Sequence, residues 1–487
     1  MSNQIRVRIA PSPTGPLHIG TARAALFNWL FARKNEGIFI LRIEDTNLER
    51  SDPKFEKDIK ESLEWLGLEW DEFYKQSERL SVYKKYLQKL LDEGKAFWCH
   101  HSVEELKKEN EEQMKRKEAP RHICQHKYDE IKDEISKIKN NGIIRLNVDE
   151  NSTRIIHFED IVRGTIEWEQ RLIGDLSLAK SPEEPLYNFA VVIDDYETKI
   201  SHIIRGEDHI SNTPKQILIS EALGLPQPQY VHMPLVLGPD RTKLSKRHGA
   251  TSVSDYKDMG YLPEAMVNFM ALLGWRPKEA DGKKRTADSE KPEDIYFIDE
   301  LINLFDLKNV QKSPAVFDIK KLNWMNGRYI HQLVPEQFRA AITPFIIKEL
   351  HINGVKDEYL DKIQHLITER MEKLSDIKNF DYFFKEPEYD RGLLNWKSMP
   401  ADEIKKSLTL TKEMLEPINW KIFDKDYVRE KLDNSAKQNF GRDRGAVYWP
   451  LRAALSGKEG SPDPVDLLSV LPKEAALKRL ERAITLI

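Results

Sequence analysis

The alternation of apolar and polar positions near the amino terminus predicts a strand, a helix and a second strand. Residues 6–10 alternate as a half-buried strand does, and residues 20–33 carry apolar side chains at helical spacing. Residues 37–46 are almost continuously apolar until Glu44 and Asp45, which is typical of a parallel strand buried on both faces. Strand, helix and strand form one right-handed crossover, the opening unit of a Rossmann-like α/β nucleotide-binding domain.

The pattern changes beyond this unit. Helical spacing over residues 55–91 predicts helices that pack on the sheet. Between residues 96 and 184 a highly charged helical stretch is followed by residues 142–148 and 155–162, which alternate as antiparallel strands do. This α+β texture predicts an insertion within the nucleotide-binding domain.

The later part of the chain returns to the sheet and then becomes helical. The apolar runs 187–195 and 202–206 predict two further strands, and residues 255–275 are predicted as helical. The polar stretch 276–294 predicts a surface loop, to which we assign no function. From about Arg328 onward, helical periodicity predicts an all-α region, with helices over residues 358–374, 401–415 and 473–484. The predicted bounds are 1–95 and 186–250 for the two halves of the nucleotide-binding domain, 96–185 for the insertion, 251–327 for a helical domain and 328–487 for the all-α region.

Composition limits the class of protein. A chain of 487 residues is too long for one hydrophobic core, so we expect three or more units. With 40% hydrophobic and 32% charged residues, no signal peptide and no apolar run long enough to span a bilayer, we expect a cytoplasmic globular protein. The net charge of −4 argues against a sequence-blind nucleic-acid coat protein. The basic patches at 107–117 and 370–385 are also acid-rich and, taken alone, favour solvated helix faces.

Two separated segments carry the candidate chemistry, and neither is a Walker P-loop. PSPTGPLHIG (residues 11–20) joins the first strand to the first helix, whose amino terminus supplies N–H donors and a positive dipole end that suit phosphate. KLSKR (residues 243–247) lies in a polar stretch bounded by glycine and proline, which predicts a mobile loop. Taken alone, His18 is best interpreted as an ordinary turn histidine and the second segment as a solvated basic loop.

Together, these two segments resemble the paired HIGH and KMSKS motifs of the class I aminoacyl-tRNA synthetases. The resemblance is to the glutamyl-tRNA synthetase family in its bacterial form, and it continues more weakly almost to Ile487. It is carried further by the segments RIAPSPTG (8–15), RIED (42–45), YNFAVVIDD (187–195), IRGEDH (204–209) and SNTPKQ (211–216). Several long matches in the same order are far more specific than either motif alone.

The resemblance implies an ATP-dependent ligase. L-Glutamate is expected to be activated to glutamyl-adenylate and transferred to the 3′-terminal adenosine of tRNA-Glu, with tRNA-Gln as a further candidate acceptor. The glutamate carboxylate is already ionised at neutral pH, so the enzyme must supply in-line positioning and donors for the departing pyrophosphate, with Mg²⁺ bridging the phosphates. Thr21 stands where the motif has a second histidine. The implied catalytic residues are His18, Lys243 and Lys246, and the implied ATP-binding residues are Pro11, Gly15, His18, Gly20, Lys243, Ser245 and Lys246.

Amino-acid selection has a physical requirement of its own. Glutamate carries one more negative charge than glutamine, so its pocket needs a cation that is otherwise buried without a partner. Arg8 and Arg205 both fall at strand ends that face the expected site, and Glu44 can pair with the α-ammonium group. Without the resemblance, each arginine is best interpreted as part of a surface salt bridge. The resemblance implies that glutamate is bound by Arg8, Ala10, Ser12, Glu44, Tyr187 and Arg205.

The only two cysteines, each followed two residues later by a histidine, indicate a candidate metal site in the insertion. Such a set can hold Zn²⁺ tetrahedrally, in a structural role, because four protein ligands leave no position for substrate. Some bacterial members of the resembled family hold zinc here through similar pairs, with a second cysteine where His101 stands. Two cysteines without metal are the alternative, and a disulfide is disfavoured in the cytosol. The candidate ligands are Cys99, His101, Cys124 and His126, with His100 and His122 as alternatives.

The resemblance also implies how tRNA is bound by a monomer. The insertion is expected to grip the acceptor end, residues 251–327 to contact the stem, and the all-α region to read the anticodon. Arg370 is a candidate anticodon reader by loose placement only, and it ranks no higher than a surface arginine.

Three rival functions are disfavoured. The bacterial-type all-α tail argues against a glutaminyl-tRNA synthetase, and its presence argues against the truncated paralogue that modifies a tRNA base. The intact histidine and lysines of the two motifs argue against a catalytically silent tRNA-binding homologue.

Overall fold

The computed structural model describes most of the chain in two compact units. The described residues are 4–47, 49–125, 127, 142–277 and 294–487, and only the backbone of Lys246 is described. The first unit comprises Met1–Asp258 with Pro263–Leu322, and the second comprises Met259–Leu262 with Asn323–Ile487. Of the predicted polar loop 276–294, residues 278–293 lie outside the described part.

Parallel pairing dominates the centre of the first unit. Strands β1, β2 and β3 pair in parallel, β10 pairs in parallel with β11, and β11 meets β6 and its antiparallel partner β7. Strands β4, β5, β8 and β9 form an antiparallel sheet, and β12 pairs with β13. The described strands are β1 (Arg6–Ile9), β2 (Ile38–Ile43), β3 (Glu72–Lys75), β4 (Ala96–Cys99), β5 (Ile143–Leu146), β6 (Ile155–Asp160), β7 (Gly164–Glu169), β8 (Leu176–Ser181), β9 (Glu184–Pro185), β10 (His202–Gly206), β11 (Gln229–Met233), β12 (Val236–Leu237) and β13 (Ala315–Val316).

The predicted opening crossover is confirmed by β1, helix α1 and β2. Helix α1 buries residues around most of its circumference, because it packs on the sheet and on helices of the same unit. Strand β10 lies alongside β1, since the Arg6 and Ser201 backbones are joined by a 2.9 Å hydrogen bond from Ser201 N to Arg6 O. The helices beginning in this unit are α1 (Ile19–Lys34), α2 (Pro53–Trp65), α3 (Leu80–Asp92), α4 (Val103–Lys115), α5 (Tyr187–Glu197), α6 (Thr213–Leu223), α7 (Val253–Asp258), α8 (Pro263–Leu272), α9 (Ile298–Leu304) and α10 (Ile319–His331).

The prediction of a strand over residues 187–195 is wrong, because this segment forms helix α5. The run Phe189–Asp195 is buried at every position. A short segment buried on all sides lacks the alternation or the polar stripe that distinguishes strand from helix, so periodicity alone does not decide between them. The predicted antiparallel strands at 142–148 and 155–162 and the strand at 202–206 are confirmed by β5, β6 and β10. The helix predicted over 255–275 is two helices, α7 and α8.

The second unit is helical throughout its described residues, as the periodicity predicts. The helix predicted over 401–415 has those bounds, whereas the one predicted over 358–374 ends at Thr368 and is followed by a 3₁₀ segment at Leu374–Phe383. Its remaining helices are α11 (Pro335–Phe345), α12 (Asp357–Thr368), α13 (Ala401–Leu415), α14 (Lys425–Asn439), α15 (Gly445–Ser456), α16 (Pro464–Val470) and α17 (Lys473–Leu486). In the described parts of both units, every helix is too short or too polar to cross a bilayer.

Candidate active site

A cavity of about 490 Å³ opens in the first unit where β1, β2 and β10 end. Residues separated by more than two hundred positions in sequence line it together. Ser245 is not among the lining residues, and the side chain of Lys246 lies outside the described atoms. The predicted residues that line the cavity are Arg8, Ala10, Pro11, Ser12, Gly15, His18, Gly20, Glu44, Tyr187, Arg205 and Lys243.

His18 is the amino-terminal cap of helix α1. Its Nδ1 accepts a hydrogen bond from Gly20 N at 3.0 Å, so the ring proton of the neutral imidazole lies on Nε2. The chain around residues 251–253 stabilises this turn, because Ile19 N donates to Thr251 O and Val253 N donates to Leu17 O, both at 2.9 Å. Burial, followed by the charge of Lys243, lowers the pKa of His18. The neutral ring is therefore both a helix cap and a hydrogen-bond donor at the cavity.

Lys243 stands opposite on the loop predicted from KLSKR. Its Nζ contacts Asp208 Oδ2 at 2.9 Å, and both side chains are substantially exposed. The loop leaves β12 through a tight turn, in which Gly238 N donates to Thr242 O at 2.8 Å. A Cβ at Gly238 would lie 2.9 Å from the ring of His248, so only glycine fits beneath that ring.

The other end of the cavity contains a buried network of charges. Arg8 donates to both carboxylate oxygens of Asp195, through Nε at 3.0 Å and Nη2 at 3.2 Å. Arg42, which is fully buried, donates to Asp195 Oδ1 at 2.7 Å and to Glu44 Oε1 at 3.1 Å. Burial opposes ionisation of Asp195, but the charges and hydrogen bonds of Arg8 and Arg42 lower its pKa. Burial raises the pKa of Glu44, and Arg42 opposes that rise.

Arg205 differs from the other two arginines because no carboxylate of the described residues touches it. Its Nε donates to His232 Nε2 at 3.1 Å and its Nη2 donates to Thr213 Oγ1 at 2.7 Å. Nη1 is buried and has no hydrogen-bond partner within the described part of the chain. Burial lowers the pKa of Arg205. A buried guanidinium that lines a cavity and keeps one donor unshared is suited to bind an anionic ligand.

Tyr187 and His209 both line the cavity and contact each other. Tyr187 Oη and His209 Nδ1 are 3.1 Å apart. Burial, with a further effect of Glu44, raises the pKa of Tyr187 to about 12, and burial together with Arg205 lowers the pKa of His209 to about 4. Both groups are therefore neutral at neutral pH.

Sequence reasoning missed several residues at this site. His209 and Asp208 lie inside the quoted segment IRGEDH, and Asp195 and Arg42 inside two others, but only the fold pairs them. Arg23 also lines the cavity. It donates through Nη1 to Pro234 O at 2.7 Å, and burial lowers its pKa to about 10, which Glu207 opposes. Its position on the first helix was the available signal.

The described part of the insertion contains a candidate metal centre, formed by three of the predicted ligands and one of the predicted alternatives. The donor atoms of Cys99, His101, His122 and Cys124 lie within 4.8 Å of one another. Cys99 Sγ is 3.4 Å from His101 Nδ1 and 3.3 Å from His122 Nε2. The predicted ligand His126 lies outside the described residues. The cysteines are not joined in a disulfide.

The carboxylate of Glu109 orients the ring of His122. Its Nδ1 lies 2.6 Å from Glu109 Oε2, which leaves Nε2 facing Cys99. A carboxylate on the outer nitrogen is the usual support of a metal-binding histidine.

The candidate anticodon reader Arg370 lies in the second unit. It follows α12 on the surface, where Nη1 is 3.4 Å from both Leu366 O and Glu369 Oε2. These contacts are those of a surface arginine.

Comparison with protein families gives two successive matches. Residues 4–324 match the family described as tRNA synthetases class I (E and Q), catalytic domain. Residues 337–484 match the family described as Anticodon binding domain.

Full-length relatives and a solved structure agree with these matches. Glutamate–tRNA ligase 1 of Caldanaerobacter subterraneus is 44% identical over 100% of this chain and 99% of the relative. Glutamate–tRNA ligase 2 of Thermoanaerobacter pseudethanolicus is 41% identical over 100% and 99%. The crystal structure of a glutamate tRNA ligase from Elizabethkingia meningosepticum, in complex with its amino acid, gives a TM-score of 0.85 at 33% identity and covers 99% of each chain.

Proposed function

The chain belongs to the class I tRNA synthetases of the E and Q group, and we propose that it ligates L-glutamate to tRNA-Glu in the cavity of the first unit. The observation that carries the choice of amino acid is Arg205. It lines the same cavity as the histidine-capped end of α1, and its buried Nη1 has no partner among the described residues. A buried unshared cation discriminates glutamate from glutamine, because glutamine cannot neutralise it.

In the first step, the α-carboxylate of glutamate attacks the α-phosphorus of ATP. A bond from the carboxylate oxygen to phosphorus forms, the bond to the bridging oxygen breaks, and pyrophosphate leaves with the electron pair. His18 Nε2–H and the α1 amino terminus donate from one side, and Lys243 and Lys246 from the loop. Mg²⁺, when bound with ATP, would supply positive charge that offsets the charge developing on the leaving group.

Glutamate is held at the opposite end of the cavity. Arg205 receives the side-chain carboxylate, Glu44 pairs with the α-ammonium group, and Arg8 lines the site while Asp195 holds it in place. Tyr187, Ser12 and Ala10 complete the pocket. An arriving ammonium group also favours the ionised form of Glu44, which burial disfavours.

In the second step, a ribose hydroxyl of the terminal adenosine attacks the carbonyl carbon of the adenylate, and AMP leaves. The class I assignment favours the 2′-OH as the nucleophile. The anticodon-binding match over 337–484 supports a role of the second unit in tRNA selection, and tRNA-Gln is a second candidate acceptor. We further propose that the enzyme acts as a monomer in the cytoplasm, as the composition and the family resemblance imply.

Charging of purified tRNA tests this function directly. The protein is incubated with tRNA-Glu or tRNA-Gln and with labelled glutamate or glutamine, in the presence and absence of ATP and Mg²⁺. Glutamate should be attached to tRNA-Glu only when ATP is present, and the variant Lys246→Ala should be slower by about 10²-fold, the effect of losing one preorganised donor. Attachment of glutamine, or charging without ATP, would overturn the proposal.

We also propose that Cys99, His101, His122 and Cys124 hold a structural Zn²⁺ ion. Two thiols and two imidazoles within 4.8 Å fit tetrahedral zinc, which such sites bind with four protein ligands. Metal analysis of the purified protein should find one zinc per chain. His122→Ala should lower the zinc content, whereas His126→Ala, the matched control, should not. If His122→Ala keeps its full zinc content and His126→Ala loses zinc, the ligands are instead Cys99, His101, Cys124 and His126.

A further inference from the structure

On the side of Arg205 away from the cavity lies a short series of buried polar side chains. Asp160 ends β6, His232 lies in β11, and Thr213 begins α6. Asp160 Oδ2 lies 2.7 Å from His232 Nδ1, and His232 Nε2 lies 3.1 Å from Arg205 Nε. Asp160 is 3% exposed and His232 is 0% exposed, so water does not substitute for these contacts.

The hydrogen bonds allow only one placement of the ring proton. Arg205 Nε–H can only donate, so His232 Nε2 must accept and carries no proton. The ionised carboxylate of Asp160 can only accept, so Nδ1 carries the proton. Asp160 Oδ2 also accepts from His232 N at 2.9 Å, which fixes the ring relative to its own backbone. His232 is therefore a neutral imidazole with an assigned tautomer.

Asp160 is itself held in the ionised form. Its Oδ1 accepts from Val162 N at 2.9 Å and from Arg163 N at 2.8 Å. Burial opposes ionisation, but the hydrogen bond from His232 and these backbone donors lower the pKa of Asp160. Four N–H donors leave no place for a proton on this carboxyl group.

The arrangement determines which donor of Arg205 remains available. His232 accepts from Nε and Thr213 Oγ1 accepts from Nη2, which fixes the plane of the guanidinium group and leaves Nη1 unshared among the described residues. Arg8 shows the alternative, because it contacts the carboxylate of Asp195 directly through two nitrogens. In this network the ring of His232 lies between Arg205 and the carboxylate of Asp160. The guanidinium group is therefore oriented by hydrogen bonds without forming an ion pair with that carboxylate.

We propose that Asp160 and His232 are positioning residues that hold the guanidinium of Arg205 at the wall of the cavity with Nη1 unshared, and that they thereby set the affinity and selectivity for the side-chain carboxylate of glutamate. Neither residue touches the substrate. This inference rests on the proposed role of Arg205, and its test separates the two.

The test replaces the acceptor on His232 and measures tRNA charging with labelled glutamate. His232→Phe removes the acceptor and keeps a planar ring, so KM for glutamate should rise about tenfold or more, the scale of one lost hydrogen bond to a charged group. His232→Gln returns an oxygen acceptor and should recover most of that loss. KM for ATP should change less than about twofold in both variants, because the phosphate-binding groups are elsewhere. A general structural defect would instead change both KM values and resist rescue by glutamine.

Arg205→Ala separates failure of this inference from failure of the proposed function. If Arg205→Ala raises KM for glutamate and folded His232→Phe does not, the positioning role is overturned while the proposed function stands. If Arg205→Ala leaves KM for glutamate unchanged, the proposed role of Arg205 is wrong and the inference falls with it. Asp160→Asn is a poorer probe, because either orientation of its amide directs an NH₂ group at a backbone N–H.

Discussion

The two ends of the cavity hold charge in opposite ways. At the end proposed to bind phosphate, formed by His18 and Lys243 and called the phosphate end, Lys243 lies on a loop with its side chain 63% exposed. At the carboxylate end, the cations are Arg8, Arg42 and Arg205, all of them buried on strands and connected to buried partners. This difference suits the proposed ligands. Pyrophosphate must leave the enzyme, whereas the anionic side chain of glutamate must be distinguished from the neutral side chain of glutamine. Substitutions should therefore affect mainly turnover at the phosphate end and mainly folding or amino-acid affinity at the carboxylate end.

The largest effect is expected from Asp195→Asn. This change removes the charge that contacts both Arg8 and Arg42. Among the described residues, Arg8 is then left without a carboxylate partner, whereas Arg42 keeps Glu44. Breaking a buried pair by removing one partner typically destabilises a protein by about 3–5 kcal/mol. Urea unfolding followed by circular dichroism should show a loss of this size. A loss below about 1 kcal/mol would show that the network adds little to folding.

The second prediction divides the two roles of His18. His18→Asn keeps a side-chain acceptor for Gly20 N but removes the Nε2 donor, so it should fold normally and activate glutamate about 10²-fold more slowly. His18→Ala loses both roles and should be less stable by a further amount of about 1 kcal/mol. Thermal unfolding and charging rates measure the two effects. Equal stability of the alanine and asparagine variants would contradict the cap, and normal turnover of His18→Asn would contradict the donor.

Local sequence patterns specify the phosphate end more directly than the carboxylate end, although all six residues predicted to bind glutamate line the cavity and Ser245 does not. His18 and Lys243 belong to contiguous motifs, and β1, α1 and β2 follow from an uninterrupted local pattern. The carboxylate end depends on pairs such as Arg8 with Asp195, which no local pattern specifies. The segment that carries Asp195 is buried on all sides, so its pattern was equally compatible with the strand that was predicted and the helix that is present.

At the candidate metal centre, too, local sequence spacing does not specify which residues come together. His122 and His126 both lie two residues from Cys124, one on each side, so spacing alone favours neither. The choice depends on how the chain bends after α4, where Gln113 Nε2 donates to Arg121 O at 2.7 Å and Glu109 supports His122. These contacts exist only after folding.

The third prediction concerns His209, which lies among the cations of the carboxylate end. Its pKa is lowered from 6.5 to about 4, so the folded protein binds this proton less readily than the unfolded chain does. Stability is fully present above about pH 6.5 and decreases as the pH falls towards 4. Between about pH 7.5 and pH 5, the wild type should lose about 1 kcal/mol more unfolding free energy than His209→Gln, after allowance for solvent screening. Parallel pH profiles for the two proteins would contradict the lowered pKa.

The smallest effect is expected from Asp208→Asn, which is the matched control for Asp195→Asn at the other end of the cavity. Asp208 also accepts a hydrogen bond from a cation, at 2.9 Å from Lys243 Nζ, but both side chains are substantially exposed. Exposed ion pairs of this kind stabilise a protein by about 0–1 kcal/mol, so urea unfolding should change by about 0.5 kcal/mol or less. Because Lys243 is released from its partner, KM for ATP should stay the same or fall slightly. The same carboxylate-to-amide change would then strongly destabilise the protein at one end of the cavity and be tolerated at the other. Equal losses of unfolding free energy would mean that burial does not distinguish the two ends.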